Sequence, residues 1–204
     1  MAETLLSFIA ATFVLALAPG PDNIFVLTQS IVNGKKYGLA TVFGLISGCL
    51  IHTTLLAFGV SVIIKESENL FFLIKLFGAL YLLYLAYKVY KSDPNIILSE
   101  DKVTKKSTKQ LFKQGFIMNV LNPKVSIFFL AFFPSFLFSN TINPIIQFYT
   151  LGFIFMLISL VVFSLIAVLA GSISEKIKKN NKIGFYLKWM QVVVFILIAI
   201  FILI

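Results

Sequence analysis

From Pro144 to Ala170 the chain runs through about 27 residues without one charged side chain. As a helix, at about 1.5 Å per residue, that run reaches ~40 Å, more than the ~30 Å of a bilayer's hydrocarbon core. In lipid a backbone must satisfy its own N–H and C=O groups, so a single run of this kind spans as a helix. Five more apolar runs share the pattern: approximately Leu5–Thr28, Leu39–Ile64, Leu70–Tyr90, Gln114–Phe138 and Phe185–Ile204. The chain therefore reads as an all-α polytopic membrane protein with six transmembrane helices. A count of five, with the first run failing to span, or of seven fits the charges less well. Only 12% of the residues are charged, against about 25% in a soluble domain.

The formal charge is +9, and all 17 basic residues are lysines. They are not gathered on one face, as nucleic-acid binding would need; most sit in loops between the apolar runs. Loop one–two has Lys35 and Lys36. Loop three–four has Lys91, Lys102, Lys105, Lys106, Lys109 and Lys113, and loop five–six has Lys176, Lys178, Lys179 and Lys182. Loop two–three sets Lys65 against Glu66 and Glu68, and loop four–five, Ser139–Asn143, carries no charge. Strict alternation of this kind predicts cytoplasmic lysine loops and both termini outside. The N-terminus, Met1-Ala2-Glu3-Thr4, has no positive region of the sort that precedes a cleaved signal, so the first run is expected to stay as a span.

Two of the six runs are interrupted. Leu17-Ala18-Pro19-Gly20-Pro21-Asp22-Asn23 breaks the first and Asn119-Val120-Leu121-Asn122-Pro123-Lys124 breaks the fourth. Proline lacks an N–H and clashes with the carbonyl four residues back, so each helix should stop there and restart with proline at its first position. Around the breaks, Pro21-Asp22-Asn23-Ile24-Phe25-Val26-Leu27 echoes Pro123-Lys124-Val125-Ser126-Ile127-Phe128-Phe129-Leu130, with one residue inserted. Residues 1–90 and 114–204 then form two three-helix halves, joined by a lysine-rich cytoplasmic loop at 91–113. Three is odd, so the halves are inverted with respect to each other. Interrupted segments at matching places in an inverted repeat point to a secondary transporter with its site where the halves meet.

The breaks also hold the candidate chemistry. Helix N-termini there would aim free N–H groups inward, where they suit a substrate carboxylate. Asp22 and Lys124 occupy equivalent places in the two halves. They are read as a gate, or as partners for the ammonium and carboxylate of an amino-acid-like substrate; a first-turn acid and a snorkelling lysine are the alternatives. His52, the one histidine, shares a helix face with Ala40, Gly44 and Gly48, a stripe small enough for a second helix to come close. It is a candidate proton relay beside Asp22, or an interhelical hydrogen bond. Pro19, Gly20, Pro21, Asp22, Asn119, Asn122, Pro123 and Lys124 are thus the candidate binding or gating residues. Lys75 and Lys188 read as interface anchors. One histidine and the lone Cys49 leave neither a transition-metal set nor a disulfide, so no cofactor is expected. Nor does the chain carry a nucleophile motif such as Gly-x-Ser-x-Gly, so an enzyme is not expected. A channel-like pore is the first rival reading and a membrane-embedded enzyme the second.

Pro19-Gly20-Pro21 and Asn122-Pro123-Lys124 resemble the PGP and NPK signatures of the LysE/RhtB family of amino-acid exporters. Gly115-Phe116 lies upstream and Phe133-Pro134-Ser135-Phe136 downstream of the second, as in that family's pattern. Gly34, Gly38, Gly44, Gly48 and His52 are similar to its second span, and Gly78 through Leu85 to its third. One departure is the sixth span, where bulky residues follow Trp189-Met190-Gln191. The resemblance implies an inner-membrane exporter of amino acids or their derivatives, driven by exchange with protons, and allows a homodimer.

Overall fold

The computed structural model describes residues 1–94, 106–179 and 182–203. Every regular element among them is helical. The first run folds as α1 (Ala2–Leu17) and α2 (Pro21–Asn33), which meet at 57° across the Pro19-Gly20 break. Gly34, at φ 95°, is the whole connection to α3 (Lys35–Leu55). A residue with a Cβ is strained at that angle, so glycine permits so abrupt a reversal. The expected first loop is thus a single residue, with α2 running five residues past Thr28.

A π-helical turn, Leu56–Val60, carries α3 into α4 (Ser61–Glu66), and α5 follows as Glu68–Lys91. The fourth run is α6 (Thr108–Val120) and α7 (Pro123–Ile127), then a π turn at Phe128–Phe132 and a 3₁₀ turn at Phe133–Phe136. The two arms of this run meet at 48°. Helix α8 is Pro144–Val168, α9 is Ala170–Lys179 and α10 is Lys182–Leu203.

The sequence expectation of a loop at 91–113 and a span from Gln114 needs correction at its C-terminal end. Ser107 and Gln110 form a capping box, each side chain bonding the other's backbone N–H, so the helix starts at Thr108 despite Lys109 and Lys113. Such a box satisfies two N–H groups that water would otherwise have to take. Positions 95–105 of that expected loop lie outside the described residues. The lysine segment after the fifth run is likewise helical, as α9, up to Lys179.

Among the described residues, four helices are long and apolar enough to cross a membrane alone: Lys35–Ile63, Glu68–Lys91, Pro144–Val168 and Lys182–Leu203. The two bent pairs bring the total to six if each is one span. The chain is an all-α polytopic membrane protein.

Helix α3 packs most extensively against α6 and also lies against α8, α5 lies against α10, and α1 against α8. The α3–α6 seam is close because glycines face backbone from both sides. A Cβ on Gly44 would meet the Phe112 carbonyl, and one on Gly115 the Thr41 carbonyl. Small residues at helix crossings do this in membranes, where lipid offers no hydrophobic drive to association.

A phenylalanine-rich core gathers Phe8, Phe128, Phe129, Phe133 and Phe155, with Phe8 and Phe133 edge to face at 4.9 Å. A smaller cluster joins Ala16, Val26, Leu45 and Phe163. Many large apolar side chains point outward instead, among them Phe72, Phe77 and Leu80 on α5 and Leu197 on α10, as lipid-facing surface does.

Candidate functional site

Breaking a helix frees the carbonyls of its last turn, and each needs a partner away from water. At the end of α1 the partners are side chains. Asn23 Nδ2 donates to the Ala16 carbonyl at 2.8 Å, and Lys124 Nζ donates to the Ala18 carbonyl at 3.4 Å. The first bond is local; the second comes from the other half of the chain. Lys124 Nζ also lies 5.4 Å from the ring centre of Phe195, a buried residue of α10. Its ammonium therefore points into the bundle rather than snorkelling to the surface.

The two breaks meet. Asn122 Nδ2 donates to Asp22 Oδ2 at 2.8 Å, across 100 residues of sequence, and both side chains are buried. Asn122 Oδ1 accepts from the Lys124 N–H at 3.0 Å, so one asparagine caps α7 and holds Asp22 at once. The two helix N-termini are consequently unlike. That of α7 is closed by Asn122, whereas no side chain caps α2. Asp22 and Lys124 line the same cavity, but the hydrogen bond to Asp22 comes from Asn122.

Behind the second break, Asn119 is held by α3. Its carbonyl accepts from the Asn122 N–H at 3.0 Å and lies 3.1 Å from His52 Nε2. A carbonyl can only accept, so Nε2 carries the proton in this contact. Cys49 Sγ donates weakly to Asn119 Oδ1 at 3.7 Å. A Cβ on Gly48 would lie 2.7 Å from that oxygen, so the stripe of Gly44, Gly48 and His52 is the surface against which α6 and Asn119 rest.

These residues line a cavity of about 30 Å³. At about 10–15 Å³ per water, it has room for two or three waters and not for an amino acid. Asp22, Asn119, Asn122 and Lys124 supply its polar wall, with Gly20, Pro21 and Asn23; α8 supplies Phe155, Ser159 and Phe163. Sequence reasoning singled out the breaks but not the α8 wall. The signal was thin: Ser159 is the sole polar residue between Leu151 and Phe163.

A larger cavity of about 400 Å³ adjoins the same break. Gly20 and Pro21 belong to both. Its other walls are the end of α5 (Val89, Ser92) and the start of α10 (Gly184, Leu187, Lys188, Gln191), so it lies on the side of the lysine loops. Lys188 Nζ donates to the Ser92 carbonyl at 2.8 Å and lies over Tyr90, tying α10 to the end of α5. Lys75 is partly buried on α5.

Residues 13–204 match the family model described as LysE type translocator. The chain belongs to that family. The match covers both breaks and all of the site, and the family's members are translocators rather than enzymes. The chain is also similar to two curated proteins. A leucine efflux protein of Klebsiella pneumoniae is 27% identical over 177 residues, covering 87% of this chain and 83% of the relative. A Bacillus subtilis protein described as "uncharacterized membrane protein YrhP" is 32% identical over 146 residues, covering 68% of this chain and 70% of the relative. No solved structure matches the chain.

Proposed function

We propose that this LysE-family protein exports a small amino acid with an aliphatic side chain from the cytoplasm, in exchange for protons, across the bacterial inner membrane. The observation that carries the reading is the Asp22–Asn122 bridge between the two breaks, beside Lys124, in a cavity too small for the substrate. Asp22 and Lys124 offer opposite charges to a zwitterion. The uncapped start of α2, in whose first turn Asp22 itself stands, adds free N–H groups and the positive end of a helix dipole to the site. The leucine efflux relative supports an aliphatic side chain.

Exchange with protons needs one group that holds either a proton or the substrate's ammonium, but not both. Asp22 is the carboxylate that lines this cavity. His52, behind Asn119, gives the proton a second stop within the bundle.

The 400 Å³ vestibule supports loading from the lysine-loop side. Under the positive-inside rule that side is the cytoplasm, with both termini outside. The 30 Å³ chamber, too small for an amino acid, is then a substrate-free stage of an alternating-access cycle, with Gly20-Pro21 between chamber and vestibule.

The six-span, inverted-repeat organisation belongs to the same proposal. Exchanging the first span with the fourth, the second with the fifth and the third with the sixth maps the α1–α8 packing onto α6–α3. The same exchange leaves the α3–α8 and α5–α10 pairs on themselves.

The test is counterflow in proteoliposomes with labelled leucine and a panel of amino acids, for wild type and Asp22→Asn. Asparagine keeps an oxygen for Asn122 and nearly the same shape, and Asp22 makes no cap bond that could be lost, so the variant changes the charge and little else. It should insert and accumulate normally yet carry out no exchange, and proton movement should be lost with it. Near-normal exchange by Asp22→Asn would overturn the role given to the charge, and wild-type protein that carries no amino acid would overturn the function.

A further inference from the structure

Among the described residues, two buried side-chain atoms have no hydrogen-bond partner: Thr12 Oγ1 and Ser159 Oγ. In a helix such a hydroxyl ordinarily returns to the carbonyl four residues back. Ser30, Thr41, Thr53 and Thr54 all do so here. Ser159 does not, although it is only 2% exposed. Of the two unpaired hydroxyls, Ser159 alone lines the chamber between the breaks.

Its setting is specific. Phe155, Ser159 and Phe163 recur at every fourth residue, so they share one face of α8, and all three line the chamber. That wall is two phenyl rings with one hydroxyl between them. The charged and amide groups of the chamber belong to α6 and the segments at the breaks. A buried hydroxyl without a partner costs free energy, so its partner is to be sought in what the chamber receives.

We propose that Ser159 reads the side chain of the carried amino acid. The reading rests on the function proposed above. With its head group against the breaks, the substrate lays its side chain along α8 between Phe155 and Phe163. The rings contact an aliphatic side chain. A polar side chain of the same shape takes the Ser159 hydroxyl as its hydrogen-bond partner. Ser159 thereby lets an otherwise apolar subsite accept a polar side chain of the same shape, whose polar atom would be left unpaired against the rings alone.

Leucine and asparagine test this, since both branch at Cγ and differ chiefly in polarity. Labelled leucine counterflow is measured in proteoliposomes against unlabelled leucine or asparagine as competitor, and the ratio of half-inhibitory concentrations is compared between variants. Asparagine should compete in the wild type. Ser159→Ala should weaken asparagine relative to leucine roughly tenfold, which corresponds to one hydrogen bond of about 1.4 kcal/mol. Thr12→Ala removes the other unpaired hydroxyl, away from the chamber, and should leave the ratio unchanged. Ser159→Cys, a weak donor of similar size, should fall between wild type and Ser159→Ala, and it carries the test if the alanine variant does not accumulate. An unshifted ratio in Ser159→Ala, an equal shift in Thr12→Ala, or asparagine that does not compete in the wild type would each overturn the assignment. Intact leucine counterflow with an unshifted ratio overturns Ser159 alone; wild type that moves no amino acid overturns the site with it.

Discussion

Gly44→Ala probes the α3–α6 seam on which the site rests. The added methyl would lie 2.9 Å from the Phe112 carbonyl carbon and 2.9 Å from the Phe116 nitrogen, and closer still to the Phe112 oxygen. These are backbone atoms, so no rotamer change makes room. Ordinary contact between such atoms needs about 3.5–4.0 Å. The helices must therefore part or the backbone shift, at a cost of about 2 kcal/mol, the middle of the ~1–3 kcal/mol usual for overpacking. For a chain of this size it lowers the melting temperature by about 4–8 °C.

The assay is size-exclusion chromatography with fluorescence detection of detergent-solubilised fusion protein after heating. Gly59→Ala is the control. It lies in the π turn after α3 with nothing within 4 Å of its would-be Cβ, so it should be neutral or stabilising by up to ~1 kcal/mol. A Gly44→Ala protein that melts with the wild type would refute the seam argument, as would an equal fall in Gly59→Ala.

Two further outcomes are expected. Gln147 is buried, its Oε1 accepts from the Phe138 and Ser139 N–H groups, and its Nε2 donates to the Ser139 and Ile142 carbonyls. Gln147→Glu cannot donate to those carbonyls when ionised and should cost at least ~2 kcal/mol in the same melting assay; an unchanged melting temperature would remove Gln147 as the organiser of loop four–five. In a Cys49→Ser background, single cysteines at Ser67 and Asn140 should react with an impermeant maleimide from outside, and cysteines at Lys36 and Lys106 only after permeabilisation. The opposite pattern would reverse the orientation.

Much of this protein is written locally. Runs of about 20 apolar residues must become helices in lipid whatever else the chain does, so the helical, membrane-spanning character was legible at once. The breaks were as well, because a proline without an N–H stops a helix regardless of its neighbours. Even the start of α6 lay within four residues, Ser107 to Gln110, but six lysines within 91–113 made the segment look like loop throughout. The partners across the bundle were not legible. Nothing near Asn122 indicates that its amide reaches Asp22 a hundred residues away, nor that Lys124 turns inward to the Ala18 carbonyl and the Phe195 ring. The same holds for Ser159, one hydroxyl in an apolar run until the crossing of α1, α2, α6 and α8 closes a chamber in front of it. Helix formation and breakage depend on bonds within a few residues; which buried polar atom meets which depends on the angle and depth at which whole helices cross, and only the packed bundle sets those.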